Sequence, residues 1–231
     1  MYNTDPKTTA DMVFADETSE TLINNILSQK LPFPLSGKTG LLFYGTFGTG
    51  KTTYANIFCN DFDAVVSGSS EQPFIEFVGC DSSEKINSII KRCESIRSLM
   101  PTNLSPYHYF IFDEVDNLTK EGQRKLKSSL KRSNIVCVST TNYLHEVDDG
   151  LRNRCHEINF NAAATADYLP RIKQVLMNNS LPLTNDAVLT TLIENAEGSW
   201  RDIIGSVLNA SANMSPNKPP SNQQPKLKLV S

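Results

Sequence analysis

Long apolar runs are missing from this chain. None approaches the roughly 20 residues that a membrane-spanning helix needs, and residues 1–11 are too polar for a secretory leader. Cysteine is scarce and shows no pairing pattern. The five, Cys59, Cys80, Cys93, Cys137 and Cys155, are odd in number and form no C-x-x-C, so neither a disulfide framework nor a zinc site is indicated. A reducing, cytoplasmic setting is the expectation, in which N-x-[ST] matches such as Asn117-Leu118-Thr119 carry no glycan. Charge of either sign is not in excess: 22 Lys+Arg against 25 Asp+Glu leave a net charge of -3. That balance argues against a uniformly basic nucleic-acid coat, while leaving room for a local basic surface. What is present is ordinary globular material, 231 residues with 39% hydrophobic and 20% charged. Such a composition excludes collagen, coiled coil and wholesale disorder, and the length allows a substantial core.

The apolar residues fall into an alternating pattern. After a polar lead-in of about 13 residues, positions 16–29 read as a helix, with Leu22, Ile23, Ile26 and Leu27 on one face and Thr18 or Ser19 as cap. Strands are expected at 40–44, 74–78, 107–112, 135–139 and 158–160, and helices at 52–60, 82–99 and 122–130. Short apolar strands alternating with helices predict a parallel sheet covered on both faces. From Ala164 the strands stop, and three helical stretches follow near 165–179, 184–195 and 199–213. The change of pattern places a domain boundary near Asn161, giving an α/β unit over 1–161 and a helical unit over 162–214. Residues 215–231 hold proline and lysine but no acid, and read as a disordered basic tail.

Chemistry concentrates at the ends of these strands. Gly45-Thr46-Phe47-Gly48-Thr49-Gly50-Lys51-Thr52 satisfies G-x-x-x-x-G-K-[ST] directly between a strand and a helix. Glycines let successive backbone N–H groups curl around phosphate oxygens, and the helix N-terminus adds its dipole. Lys51 is then placed for the β- and γ-phosphates of ATP and the Thr52 hydroxyl for Mg²⁺, while Thr53 caps or packs. Further on, the strand Tyr109-Phe110-Ile111-Phe112 delivers Asp113 and Glu114 at its C-terminal end. Asp113 is placed to hold Mg²⁺ through its water shell, and Glu114 to polarise an attacking water, as hydrolysis requires. A third strand runs into Thr140-Thr141-Asn142, whose terminal amide can touch the γ-phosphate or serve as an ordinary turn residue.

Taken in order, 45–52, Asp113-Glu114-Val115-Asp116, Asn142, Leu151-Arg152-Asn153-Arg154-Cys155 and Gly198-Ser199-Trp200-Arg201-Asp202 resemble the AAA+ ATPases. Within them the chain looks most like the clamp-loader group, the replication-factor-C-type small subunits and phage clamp-loader ATPases, over residues 6 to about 210. The resemblance implies a P-loop NTPase fold, a parallel α/β sheet flanked by helices and followed by a small all-α lid domain. Asn142 then matches sensor 1, and Arg201 matches sensor 2. Arg154 matches the finger arginine of a Ser-Arg-Cys motif, with Asn153 standing where the family has Ser; Arg152 is the reserve. In the family that arginine reaches the γ-phosphate held by a neighbouring subunit. Met12 and Val13 match residues lining the adenine pocket, although the Tyr-Arg pair that precedes them in the family is lacking. Clamp loaders also carry a helical collar after the lid, for which these 231 residues leave no room. The implied cofactors are ATP and Mg²⁺, and the implied partners are other AAA+ subunits, DNA, and a replication protein such as a sliding clamp or a helicase.

Two helices are locally basic. Lys85, Lys91 and Arg92 lie on one and Arg124, Lys125, Lys127 and Lys131 on the other. Clustered cations suit sequence-independent phosphate contacts, and in the resembling family helices at these positions track DNA; a solvated face is the alternative. Two other function classes stay open from the residues: an ATP-controlled binding module such as a helicase loader or transposition regulator, and a small-molecule P-loop kinase. The kinase fits poorly, because Glu114 is placed for water and no acceptor lid is evident.

Overall fold

In the computed structural model the described residues are 2–35, 37–80, 86–129, 134–182 and 185–214. Lys85, Lys131 and the tail at 215–231 lie outside them. Five strands, β1 (Gly40–Tyr44), β2 (Ile75–Gly79), β3 (His108–Asp113), β4 (Ile135–Thr141) and β5 (Cys155–Asn159), form one parallel sheet in the order β2-β3-β4-β1-β5. The central strands are apolar on both faces because helices cover both. Leu41 and Phe43 of β1 and Tyr109 and Ile111 of β3 point to one side. There they meet Ile23 and Ile26 of α1 (Glu17–Leu27) and Tyr54, Phe58 and Phe62 of α2 (Lys51–Ser67). The alternate residues Leu42, Phe110, Phe112 and Cys137 meet Ile89 and Cys93 of α3 (Ile86–Ser98), Leu126 of α4 (Lys120–Ser129) and Leu151 of α5 (Asp149–Arg152). All five cysteines are buried free thiols, used as small apolar residues.

Helices α6 (Thr165–Asn178), α7 (Asp186–Asn195) and α8 (Trp200–Met214) close a separate small core of Tyr168, Ile172, Leu176, Leu189, Ile193, Ile203 and Val207. No helix among the described residues is long and apolar enough to cross a membrane.

Several element boundaries differ from those expected. The cap of α1 is Asp16, whose carboxylate accepts from the Ser19 N–H, rather than Thr18 or Ser19. Strand β5 begins at Cys155, earlier than the expected 158. His156 and Glu157 hid it, because an edge strand tolerates polar residues that hydropathy reads as loop. Helix α2 runs on to Ser67, past the polar Asn60 and Asp61, because Phe62 continues the buried face.

Candidate nucleotide site

The strand order creates the site. Strand β4 lies between β1 and β3, so the loop after β1, the carboxylates after β3 and the polar end of β4 meet at one sheet edge. The carboxyl edge of a parallel sheet is where α/β folds bind ligands.

The loop after β1 adopts the curled form that its glycines permit. Gly48 has φ +76°, and a Cβ there would strike the Ser199 hydroxyl. Its carbonyl accepts from the Arg201 N–H at 3.3 Å, which ties the phosphate loop to the start of α8. Lys51 opens α2 and folds back, donating to the carbonyls of Gly45 (2.9 Å) and Thr46 (2.6 Å). Its ammonium is buried, and burial pushes its pKa down to about 8 against the pull of Asp113, Asp116 and Glu114. Phosphate anions bound beside such an amine favour its charged form.

Asp113 ends β3 with Oδ1 accepting two hydroxyl bonds, from Thr52 (2.7 Å) and from Thr140 (2.7 Å). The same Thr140 oxygen accepts the Glu114 N–H at 2.9 Å. Thr140 therefore locks the Asp113-Glu114 corner, where Glu114 takes the left-handed φ of +57°. Sequence reading stopped at Asn142 and passed over Thr140, since a threonine inside an apolar strand carries no motif. Glu114 is exposed, and its Oε2 accepts from the Asn117 amide at 3.1 Å.

Along the phosphate loop lies a cavity of about 290 Å³, lined by 48–53, Asn142, Trp200 and Arg201, with Thr4, Asp5 and Ile204. Beside it a narrower slot of about 50 Å³, room for a few waters, is walled by Met12, Val13, Thr53, Tyr168, Arg171 and Trp200. One wall of the slot is the lead-in strap. Thr9 donates to Asp61 of α2, and Asp11 binds Arg171 of α6 at 2.5 Å, so the strap ties sheet to helices. Burial would raise the Asp11 pKa, but N–H groups of Lys7 and Thr8 and the Arg171 guanidinium bring it below the usual carboxylate value. Trp200, stacked on Tyr168 at 6.4 Å, lines both the slot and the larger cavity. Their part in the slot was not read from the sequence, where Trp200 stood only as the neighbour of Arg201 in its motif.

Arg154 is elsewhere. It precedes β5 at the opposite edge of the sheet, with Nη1 donating to the Gly37 carbonyl at 3.2 Å. The five residues of β1 separate that edge from Gly45, about 17 Å at strand spacing and beyond the reach of an arginine side chain. Arg152 is held by Glu157 at 2.8 Å. Of the basic helices, Arg92 pairs with Glu76 (2.7 Å), Arg124 with Asp148 (3.0 Å) and Lys125 with Glu121 (2.8 Å). Lys91 is exposed, and Lys127 lies beside Gly150. Part of the expected basic surface is thus neutralised within the chain.

The sequence profile of the family described as "ATPase family associated with various cellular activities (AAA)" matches residues 41–162, more than half of the chain. The chain belongs to the AAA family. Replication factor C small subunit 2 of Pyrobaculum islandicum is 25% identical over 209 residues, 90% of this chain and 62% of that protein. Replication factor C small subunit of Methanococcus maripaludis is 24% identical over 209 residues, again 90% and 62%. The AAA chain thus spans less than two thirds of the length of these relatives. Among solved structures, RuvB of Thermotoga maritima superposes with a TM-score of 0.66 at 17% identity, covering 88% of this chain and 64% of that one. The FIGL-1 AAA domain in complex with ADP gives 0.61 at 17%, covering 92% and 75%. At such identities the two structures speak for the AAA+ fold alone.

Proposed function

We propose that this chain is an ATP-hydrolysing AAA+ subunit that acts within an oligomer to load or remodel a DNA-replication assembly, as clamp loaders do. The observation that carries the hydrolytic part is the Thr52–Asp113–Thr140 hydrogen-bonded bridge beside Lys51 and Glu114. The names of these relatives support the replication part. In this reading residues 1–161 bind nucleotide and 162–214 form a lid.

Mg²⁺ needs few protein ligands beside phosphate oxygens and water. The Thr52 hydroxyl and Asp113 carboxylate, sharing one hydrogen bond, supply hard oxygens at a single point and fit that role. An ion held by these two residues would supply positive charge to offset that of the phosphates. Lys51 supplies a second positive charge and the N-terminus of α2 a third contribution. Glu114 takes the proton of the attacking water, Asn142 orients that water or the γ-phosphate, and Arg201 links phosphate loss to movement of α8. Met12, Val13, Tyr168 and Trp200 enclose the base. Arg154, one strand length from its own site, acts on the nucleotide of a neighbouring subunit. Lys91 and Lys127, with Lys85 and Lys131 in the undescribed stretches, provide weak DNA contacts.

A second reading, an ATP-controlled binding module with slow turnover, is favoured by one observation. The Glu114 carboxylate is occupied by Asn117 rather than turned to the cavity. Phosphate release measured against protein concentration, with and without DNA, separates the two. Hydrolysis that climbs with both supports the motor, and Glu114→Gln should lower it roughly 10²–10⁴-fold while ATP still binds. Full assembly in ATP with negligible wild-type turnover under all conditions supports the module.

A further inference from the structure

The phosphate loop carries an aromatic residue for which its own chemistry has no use. A loop of this kind binds phosphate through backbone N–H groups, yet position 47 holds a phenylalanine that is 58% exposed. Its ring meets Tyr143, 45% exposed, edge to face at 6.0 Å, and Tyr143 in turn meets His145 at 6.1 Å. Phe47 immediately precedes Gly48 and Tyr143 immediately follows Asn142, and both of those neighbours line the phosphate cavity. Two apolar rings therefore stand in solvent at the mouth of a site built for charge. The sheet core offers them nothing; they belong to neither of its two clusters.

The opposite edge of the sheet presents the complement. Arg154 lies there, one strand length from its own cavity, its guanidinium held by a backbone carbonyl. Guanidinium is the cation best suited to lie on an aromatic face, being planar and weakly hydrated. A cationic edge and an aromatic mouth on opposite ends of one sheet match head to tail, the heterologous contact that builds rings and spirals.

We infer that Phe47 and Tyr143 form the landing surface for a second copy of this chain, cradling the partner's Arg154 as it enters the phosphate cavity. The rings do three things. They hold the guanidinium by its face while leaving its N–H edge for phosphate oxygens. They shed water from the cavity rim when covered, which strengthens every charge interaction inside. They also make the contact depend on the conformation of the phosphate loop, because Phe47 moves with Gly48 and Thr49. The inference rests on the trans role of Arg154 proposed above and adds the surface that receives it.

The test uses the full chain and three measurements: ATP affinity at a concentration where it is monomeric, sedimentation in ATP over a concentration series, and phosphate release. Tyr143→Ala should keep its ATP affinity and shift the assembly midpoint upward by about tenfold, with turnover falling in step at fixed concentration. Tyr143→Phe, which keeps a π face, should restore both. Arg154→Ala should lose turnover. Assembly of Tyr143→Ala at the wild-type midpoint overturns the landing surface and leaves the trans arginine standing. Full turnover by Arg154→Ala removes the trans arginine itself, and this inference with it.

Discussion

The nucleotide site has two halves built on different terms. The phosphate half comes from strand ends of one sheet, fastened by short hydrogen bonds among Thr52, Asp113, Thr140 and the Glu114 backbone, with Lys51 buried beside them. The half that the proposed reading gives to the base is assembled from three distant pieces: the lead-in strap, the first turn of α2 and the helices beyond residue 162. Its slot is narrow, and the Asp11–Arg171 pair crosses its rim. One half is preorganised for charge, while the other is formed by apposition of separate segments. The difference teaches that chemistry and access are held by separate parts of the fold, so each can be disturbed alone.

Lys51→Ala should break the preorganised half most severely. If Lys51 faces the transferring phosphate as proposed, its loss costs roughly 10²–10³-fold in turnover, measured by phosphate release at saturating ATP. The unfolding midpoint should hold or rise, because the variant sheds a desolvated amine. A variant that turns over normally would detach Lys51 from the reaction.

The same lysine predicts a pH dependence. Burial holds its pKa in the free protein near 8, below the ordinary 10.5. Bound phosphate favours the charged form, so below pH 8 the proton is already in place and affinity is flat in this group. Above it ATP binding must take up a proton, and affinity falls by up to about tenfold per pH unit. Calorimetry at pH 9 in buffers of different ionisation enthalpy should detect that uptake. Equal apparent enthalpies in all buffers would sink the prediction.

For the base half, Trp200→Ala should weaken ATP and ADP alike by about tenfold, in line with loss of an aromatic platform. The maximal rate at saturation should change little. Equilibrium binding of both nucleotides checks it, and a selective loss of ATP would move Trp200 into the phosphate half. The smallest effect is expected from Asp11→Asn, which loosens the strap from Arg171. Nucleotide release should quicken roughly two- to fivefold, and amide exchange over residues 7–12 should rise. Unchanged release would mean that the strap is a wall and not a latch.

How much of this was legible depended on how local the signal was. The phosphate loop and the Asp113-Glu114 pair could be read outright, because each is a contiguous run whose chemistry needs those residue types in that order. The strands of the sheet interior were equally plain, since burial on both faces leaves an uninterrupted apolar run. Strand β5 was read short, because an edge position admits His156 and Glu157. Thr140 was missed because its role is a hydrogen bond to the end of the preceding strand, 27 residues earlier, and Trp200 because its partners at 12, 53 and 168 are far along the chain. The basic helices misled in part: their charge is visible in sequence, but their partners Glu76 and Asp148 come from other elements.

The sequence by itself determined the alternation of strands and helices, the phosphate loop, the paired carboxylates and the likeness to clamp-loader ATPases. These are matters of short-range spacing, which backbone periodicity and local chemistry impose. Only the tertiary structure decided that β4 sits between β1 and β3, and so which side chains complete the site. It alone set Arg154 a full strand away from its own cavity, joined the strap to α6, and left Phe47 and Tyr143 facing solvent. Strand order and strap closure arise from long-range packing between surfaces whose partners no local pattern names, so they exist only once the chain has folded.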